Sequence, residues 1–132
     1  MILLDTHVLL WWQAGGERLS VPAPNAIDGS TEILVSPLSC LELAALARRG
    51  RIDLDRAPAT WATDLFAEDR VAVAPLSVEA AVLAGTFDDS FPGDPIDRLL
   101  YATALDQRLR FVSKDERLRG YARRTGDLEI VW

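Results

Sequence analysis

Four acidic residues are the strongest candidates for chemistry in this sequence: Asp5, Glu42, Asp97 and Asp115. Carboxylates held close together repel one another, which raises their pKa values, and a cation placed among them relieves that repulsion. Mg²⁺ and Mn²⁺ prefer such oxygen ligands, whereas zinc sites favour Cys and His, of which the chain has one each. Two divalent ions about 4 Å apart can activate a water molecule and stabilise the departing oxygen of a phosphodiester. If the four acids meet, they can support phosphodiester hydrolysis.

Two of these acids follow predicted strands. Asp5 comes directly after the apolar run of residues 2–4, and Asp115 lies just past the run of residues 111–113. Such short apolar runs are typical of buried strands. Because the carboxyl ends of parallel strands share one edge of a sheet, we expect both carboxylates at that edge.

The other two acids lie near the start of predicted helices. Glu42 falls in the second turn of a helix that Ser36 is expected to cap, and Asp97 falls in the first turn of a helix that Asp94 is expected to cap. In both helices a proline occupies the first position, which favours a helix start there. A helix that follows a strand begins at the same edge of the sheet, so these two carboxylates are expected to join the first two.

Predicted strands and helices alternate through most of the chain. Further strands are predicted over residues 32–36, 71–76 and 128–132, and helices over residues 7–13, 22–28, 37–49, 59–69, 78–84 and from 95 onward. This alternation is typical of the α/β class and predicts a three-layer α/β/α sandwich with a twisted, mostly parallel sheet. A chain of 132 residues is expected to form a single domain over residues 1–132.

Most of the candidate acids also have an ordinary structural explanation. Asp94 suits a helix cap ahead of Pro95, which makes it a secondary candidate for the site. Asp97, taken alone, would complement the helix dipole, Asp5 could cap the next helix, and Asp115 could be a turn residue. The joint placement of the acids therefore supports the hypothesis, and no single position does.

Glu42 is harder to explain by structure alone. It lies beside Leu41, which is predicted to share a buried helix face with Leu38 and Ala45. An unpaired acid at the border of a buried face is costly. The position of Glu42 therefore favours a functional role.

Composition narrows the class of protein. A net charge of −6 is unfavourable for a protein that binds nucleic acid through Lys and Arg alone. If the protein acts on phosphates, bound metal ions would have to supply local positive charge. The single cysteine, Cys40, excludes an internal disulfide. No apolar run approaches the roughly 20 residues of a membrane span, and no basic leader precedes Asp5. We therefore expect a soluble, cytoplasmic protein with no membrane partner.

Four blocks of the sequence resemble motifs of the PIN-domain family, in particular those of VapC-type toxins. They are residues 2–7, 36–43, 93–104 and 111–115, which together span nearly the whole chain. The block from Gly93 to Ala104 is the most specific of the four. Relatives often carry a histidine shortly before the aspartate–proline pair, where this chain has Phe91-Pro92-Gly93, so any role of that histidine is absent here.

The resemblance implies a sheet of about five strands and a site in which the four acids bind Mg²⁺ or Mn²⁺, directly or through water. It suggests that the hydroxyls of Thr6 and Ser113 support the pocket by hydrogen bonding. It also implies an endoribonuclease that leaves a 5′ phosphate, acts as the toxin of a toxin–antitoxin pair and forms a homodimer. An antitoxin that covers the pocket with basic residues would agree with the acidic charge. The target RNA is not indicated.

Two other functions stay open from the sequence. One is phosphoryl transfer through an aspartyl nucleophile at Asp5, although haloacid-dehalogenase-like enzymes need a second aspartate where this chain has His7. The other is a catalytically silent binding module, which would show no Mg²⁺-dependent rise in melting temperature.

Several residues near the predicted site have open roles. His7, the only histidine, suits a pocket wall better than proton transfer. The adjacent Trp11 and Trp12 are interpreted as core or dimer packing rather than as a platform for RNA bases. Arg98 could contact a phosphate or a neighbouring acid. A basic cluster after the fourth strand either steers RNA or forms a solvated face, and its members are Arg117, Arg119, Arg123 and Arg124.

Overall fold

The computed structural model describes all 132 residues and contains one five-stranded sheet and seven helices. The strands are β1 (Ile2–Leu4), β2 (Ile33–Val35), β3 (Val71–Val73), β4 (Arg110–Val112) and β5 (Ile130–Val131). The helices are α1 (Thr6–Gln13), α2 (Pro22–Asp28), α3 (Pro37–Arg48), α4 (Pro58–Phe66), α5 (Val78–Thr86), α6 (Pro95–Asp106) and α7 (Glu116–Thr125). The predicted α/β fold with a parallel sheet of about five strands is confirmed. None of the helices combines the length and apolar character that a membrane span needs.

The order of strands places β1 at the centre of the sheet. The sheet runs β3-β2-β1-β4-β5, and every neighbouring pair is parallel. From β1 the chain moves outward through β2 to β3, then returns to the other side of β1 to form β4 and β5. The direction of winding therefore reverses between β1 and β4, and in such sheets the crevice outside the strand ends at this reversal is the usual binding site.

Two cores cover the two faces of the sheet. Ile2 and Leu4 of β1 point into one core, and Leu3 between them points into the other, because successive side chains of a strand alternate. The first core is completed by α1, α2, α3 and α4, and the second by α6 and α7. The helices therefore form the two outer layers of the predicted three-layer sandwich.

Helix α7 was not predicted from the sequence. Only Leu118 and Ala122 of this helix are buried, one turn apart, so its apolar stripe is too narrow to stand out among the arginines. Its ends are nonetheless well defined. Asp115 caps the start by accepting from the backbone of Arg117 and Leu118, and Gly126 ends the helix with a φ of 68°, a conformation that glycine adopts without strain.

The predicted buried face of α3 is wrong. Leu41 is 60% exposed, and the residues of α3 that are buried are Ser39 and Leu43. Ser39 can occupy the inward position because its hydroxyl accepts a hydrogen bond of 3.0 Å from the Thr6 hydroxyl of α1. The helix is therefore rotated so that a satisfied polar residue, and not Leu41, faces the neighbouring helix.

Candidate active site

A polar cavity of about 640 Å³ lies at the edge of the sheet where β1 and β4 end. No apolar side chain lines it. Its lining residues are Asp5, His7, Glu42, Asp94, Asp97, Lys114, Asp115, Glu116 and Arg117. The structure therefore brings the four acids predicted from the sequence, together with Asp94, to one cavity.

Asp5 is fixed at the start of α1 by three hydrogen bonds. Its backbone N–H donates to the carbonyl of Val112 at 2.9 Å, which ties it to β4. Its two carboxylate oxygens accept from the backbone N–H of Thr6 at 2.8 Å and from the hydroxyl of Ser113 at 2.6 Å. Burial raises the pKa of Asp5 and the nearby charge of Glu42 raises it further, against the lowering effect of these two donors.

Asp94 and Asp97 form a capping box at the start of α6. The Asp94 carboxylate accepts from the backbone N–H of Asp97 at 2.9 Å, and the Asp97 carboxylate accepts from the backbone N–H of Asp94 at 3.2 Å. Gly93 is required next to this box, because a Cβ there would overlap the Cβ of Asp97 and come within 2.9 Å of its Oδ2. The loop before α6 therefore holds the Asp97 carboxylate in one place.

Burial and the neighbouring acids raise the pKa of Asp97. Burial makes the largest contribution, followed by the charges of Asp94, Asp5 and Asp115, and together they raise its pKa from the ordinary value of 3.8 to about 7. A carboxyl group with this pKa is only about half ionised near neutral pH, and a bound cation would favour its ionised form. Three other acids thus contribute to the raised pKa of Asp97, whereas Glu42 alone does so for Asp5.

Asp115 has a different environment from Asp97. Burial acts to raise its pKa, but hydrogen bonds from the side chain and backbone of Arg117 and from the backbone of Leu118 outweigh it, so the pKa of Asp115 is lowered. The Arg117 guanidinium lies 3.2 Å from Asp115 Oδ2. Asp115 is therefore ionised and already paired with a cation of the protein itself.

Glu42 completes the acidic wall from α3. Its side chain is half-buried and lines the cavity, yet it takes part in none of the side-chain hydrogen bonds or ion pairs of the structure. No three Asp, Glu, His or Cys side chains are arranged closely enough to form a ready-made metal site. The acids thus surround a common space without converging on a single point.

The two hydroxyl residues named from the sequence lie in different places. Ser113 is buried beside the cavity, where its hydroxyl donates to Asp5 and accepts from the backbone N–H of Asp115 at 3.1 Å. Thr6 does not line the cavity, and its hydroxyl donates to that of Ser39, which links α1 to the helix that carries Glu42. Ser39 was missed, because nothing in its local sequence separates it from a surface serine.

The structure shows the contacts of the residues whose roles the sequence left open. His7 is exposed and lines the cavity wall, as interpreted, whereas Arg98 donates to the carbonyls of Phe87 and Asp88 and so anchors a loop. Trp12 packs against the first core. Within the basic cluster, Arg117 reaches the cavity, while Arg119 and Arg123 pair with Glu116.

Comparison with known proteins identifies the family. Residues 2–124 match the family model described as the PIN domain. The chain belongs to the PIN-domain family. It is 43% identical over 120 residues to ribonuclease VapC22 of Mycobacterium tuberculosis, and the match covers 91% of each chain. The predicted membership in the VapC-type group of PIN domains is thereby confirmed.

Solved structures of other proteins share this fold. One is VapBC2 of Rickettsia felis bound to a DNA fragment from its promoter, which has a TM-score of 0.67 and 14% identity over 98% of this chain and 97% of that one. Another is VapC20 of Mycobacterium tuberculosis, described as a sarcin-ricin loop cleaving toxin, with a TM-score of 0.64 and 15% identity over 91% and 95% of the two chains. At this identity the likeness establishes the fold alone.

Proposed function

We propose that this PIN domain is a metal-dependent endoribonuclease that acts as the toxin of a toxin–antitoxin pair, with residues 1–132 forming one catalytic domain. Its 43% identity to a protein named ribonuclease VapC22 supports the activity. The observation that carries the proposal is the cavity shared by Asp5, Glu42, Asp97 and Asp115 at the reversal point of the sheet. Carboxylates gathered at such a point are the arrangement that metal-assisted phosphodiester hydrolysis requires.

The donor set of the cavity fits a hard divalent cation. Apart from His7, every candidate ligand in the cavity is a carboxylate, which is the ligand type that Mg²⁺ and Mn²⁺ prefer. The raised pKa of Asp97 supports this assignment, because a cation would offset both the burial and the repulsion that raise it. The open spacing of the acids suits Mg²⁺, which usually keeps several of its own water molecules when a protein binds it.

The chain's own residues determine where the reaction takes place. Bound divalent ions supply an activated water and positive charge for the departing oxygen. Ser113 and the backbone of Thr6 hold the Asp5 carboxylate in a single orientation, and the backbone N–H of Asp94 does the same for Asp97. Carboxylates fixed in advance need little rearrangement when the phosphodiester arrives, which lowers the barrier.

Positioning roles follow for the supporting residues. Ser113 connects Asp5 to the backbone of Asp115, so it couples two of the acids directly. The Thr6 hydroxyl, through Ser39, fixes α1 against α3. Asp94 caps α6 and holds Asp97, so its role in the site is indirect.

We further propose that the partners are an RNA substrate, a small antitoxin protein and a second copy of the chain. The antitoxin is inferred from the VapC-type family, and the net charge of −6 favours a partner that presents basic residues. The homodimer and the cytoplasmic location stay predictions from the sequence.

RNA cleavage by the purified protein tests the proposal. Transfer RNA and ribosomal RNA would be incubated with wild type in Mg²⁺, with wild type in EDTA, and with the Asp5→Asn variant in Mg²⁺. We expect cutting only in the first reaction and 5′ phosphate ends on the fragments. Asp89→Asn is the matched control, since Asp89 is exposed and lies outside the cavity.

Equal cutting in all three reactions would mean that the RNA is cut by a contaminant or by metal-independent chemistry. No cutting together with no Mg²⁺-dependent rise in melting temperature would instead favour a silent binding module.

A further inference from the structure

An aromatic row extends from the wall of the acidic cavity. It consists of His7, Trp11 and Trp132. His7 lines the cavity, and Trp11 lies one turn further along α1 with its ring centroid 5.9 Å from that of His7. Trp132 lies next, with its ring centroid 6.0 Å from that of Trp11. The row thus begins at the cavity wall with His7 and continues through Trp11 to Trp132.

Core packing does not account for Trp11, the central member of the row. Trp12 and Trp132 both pack against the first core, whereas Trp11 belongs to none of the core clusters. Trp11 is partly exposed and lines a different cavity of about 360 Å³. A large, partly exposed ring that lines a cavity leaves apolar surface available to a ligand.

Lys114 joins the aromatic row to the acidic cavity. Its ammonium group lies 4.7 Å from the centre of the Trp11 ring, and its side chain also lines the cavity. It lies between Ser113 and Asp115 in sequence, and it is exposed. An exposed cation beside a wall of carboxylates can contact a phosphate that those carboxylates alone would repel.

We propose that Trp11 stacks a base of the RNA next to the cleaved phosphodiester while Lys114 contacts an adjoining phosphate. This inference rests on the proposed function. The order of these features matches single-stranded RNA, in which bases alternate with phosphates. An aromatic ring is followed by a cation and then by the cavity proposed to bind the cleaved phosphodiester. Every base has a flat face, so stacking on tryptophan binds RNA strongly with little preference for sequence. The sequence favoured core or dimer packing for Trp11, and its absence from the cores removes the first of these two interpretations.

Binding measured without cleavage tests the stacking subsite. A short fluorescein-labelled single-stranded RNA would be titrated in EDTA against wild type, Trp11→Ala, Trp11→Phe and Lys114→Ala. We expect Trp11→Ala to weaken binding by about 5- to 100-fold and Lys114→Ala to reduce the salt dependence of binding. Trp11→Phe should keep most of the affinity, because it keeps a ring.

Tryptophan fluorescence gives a readout that a merely structural role would not change. RNA should quench part of the emission of wild type, and this part should be lost in Trp11→Phe although the RNA still binds. Arg49→Ala is the charge control for Lys114→Ala, because Arg49 is exposed and ends α3 away from the cavity. Circular dichroism melting of each variant would confirm that it is folded.

The outcomes separate this inference from the proposed function. If wild type cuts RNA in Mg²⁺ but Trp11→Ala binds RNA as tightly as wild type, the stacking subsite is refuted and the ribonuclease stands. If wild type cuts no RNA, the proposed function itself fails. If Trp11→Ala keeps its RNA affinity but no longer copurifies with the co-expressed product of the adjacent reading frame, the aromatic row contacts a protein and the subsite is likewise refuted.

Discussion

Replacing Asp97 with asparagine should make the metal-free protein more stable while it abolishes cleavage of RNA. Asparagine is close in size, and its side-chain oxygen can still accept from the backbone N–H of Asp94, so the capping box is kept. The substitution removes a negative charge whose formation is made less favourable by burial and by three neighbouring acids. The variant therefore isolates the electrostatic cost of assembling the site.

The magnitude follows from the pKa of Asp97. Each tenfold change in a dissociation constant corresponds to about 1.4 kcal/mol. The difference between the ordinary pKa of 3.8 and the raised pKa of about 7 therefore corresponds to at most roughly 4.5 kcal/mol. Asp97 is partly exposed and solvent screens its interactions, so we expect about 1–2 kcal/mol in the free energy of unfolding. In a domain of this size that gain raises the melting temperature by about 3–8 °C.

The raised pKa of Asp97 also determines how the stability of the folded protein changes with pH. Because the folded protein binds the Asp97 proton more tightly than the unfolded chain does, the stability this proton confers is fully present below about pH 4 and is gone above about pH 7. Wild type should lose stability through this range, and the Asn variant should not. The variant therefore exceeds wild type in free energy of unfolding by the largest amount above about pH 7.

Urea denaturation in EDTA, followed by circular dichroism from about pH 5 to about pH 8, measures this advantage, with Asp89→Asn as the control. Adding Mg²⁺ should reverse the order of stability, because the ion binds folded wild type more tightly than the variant. A variant that is less stable than wild type at about pH 8, or an advantage that does not change with pH, would refute the idea that burial and the neighbouring acids disfavour the ionised form of Asp97.

Three further substitutions test other parts of the site. Ser113→Ala removes the 2.6 Å hydrogen bond that favours ionised Asp5, so the acidic limb of the pH–rate profile for RNA cleavage should move upward by about 1–2 pH units; an unchanged profile would contradict this. Gly93→Ala should lower the cleavage rate by about 100-fold by displacing the Asp97 carboxylate, with the fold intact by circular dichroism. Tyr101→Phe removes the 2.6 Å hydrogen bond to Asp127, neither of which lines the cavity, and should cost about 1–2 kcal/mol in urea denaturation with no change in the cleavage rate.

The sequence predicted those parts of the site that have local signals. Asp5 follows a fully buried strand, and Asp94 precedes a proline that starts α6, so both positions can be read from a few neighbouring residues. The alternation of strands and helices then implies that these ends share one edge of the sheet. The position of the cavity was predictable for this reason, although no single acid was decisive.

The features that the sequence did not predict depend on contacts between distant segments. Ser39 faces inward because Thr6, 33 residues earlier, supplies a hydrogen bond, and this rotates α3 so that Leu41 is exposed. The requirement for Gly93 arises from the path of its loop over Asp97. Neither contact leaves a periodic signal in the sequence, so pattern analysis alone could not find them.

The contacts of Lys114 and Arg117 were likewise not predictable, although the sequence places Arg117 after the fourth strand, near the predicted site. Lys114 comes just before α7 and Arg117 lies in its first turn, and both line the cavity. Arg117 pairs with Asp115, whereas Lys114 lies over Trp11. Once α7 is known, these cations explain how an acidic protein can present positive charge beside its site.

The central claim is that the carboxylates at the β1–β4 edge together hold divalent cations. A crystal of the wild-type protein soaked in Mn²⁺, with diffraction data collected near the manganese absorption edge, tests this claim most directly. We predict an anomalous peak inside the cavity, in contact with oxygens of Asp5 and Asp97 or with water molecules that they and the other acids bind. A cavity without a peak, in a crystal where Mn²⁺ is bound elsewhere on the chain, would contradict the claim.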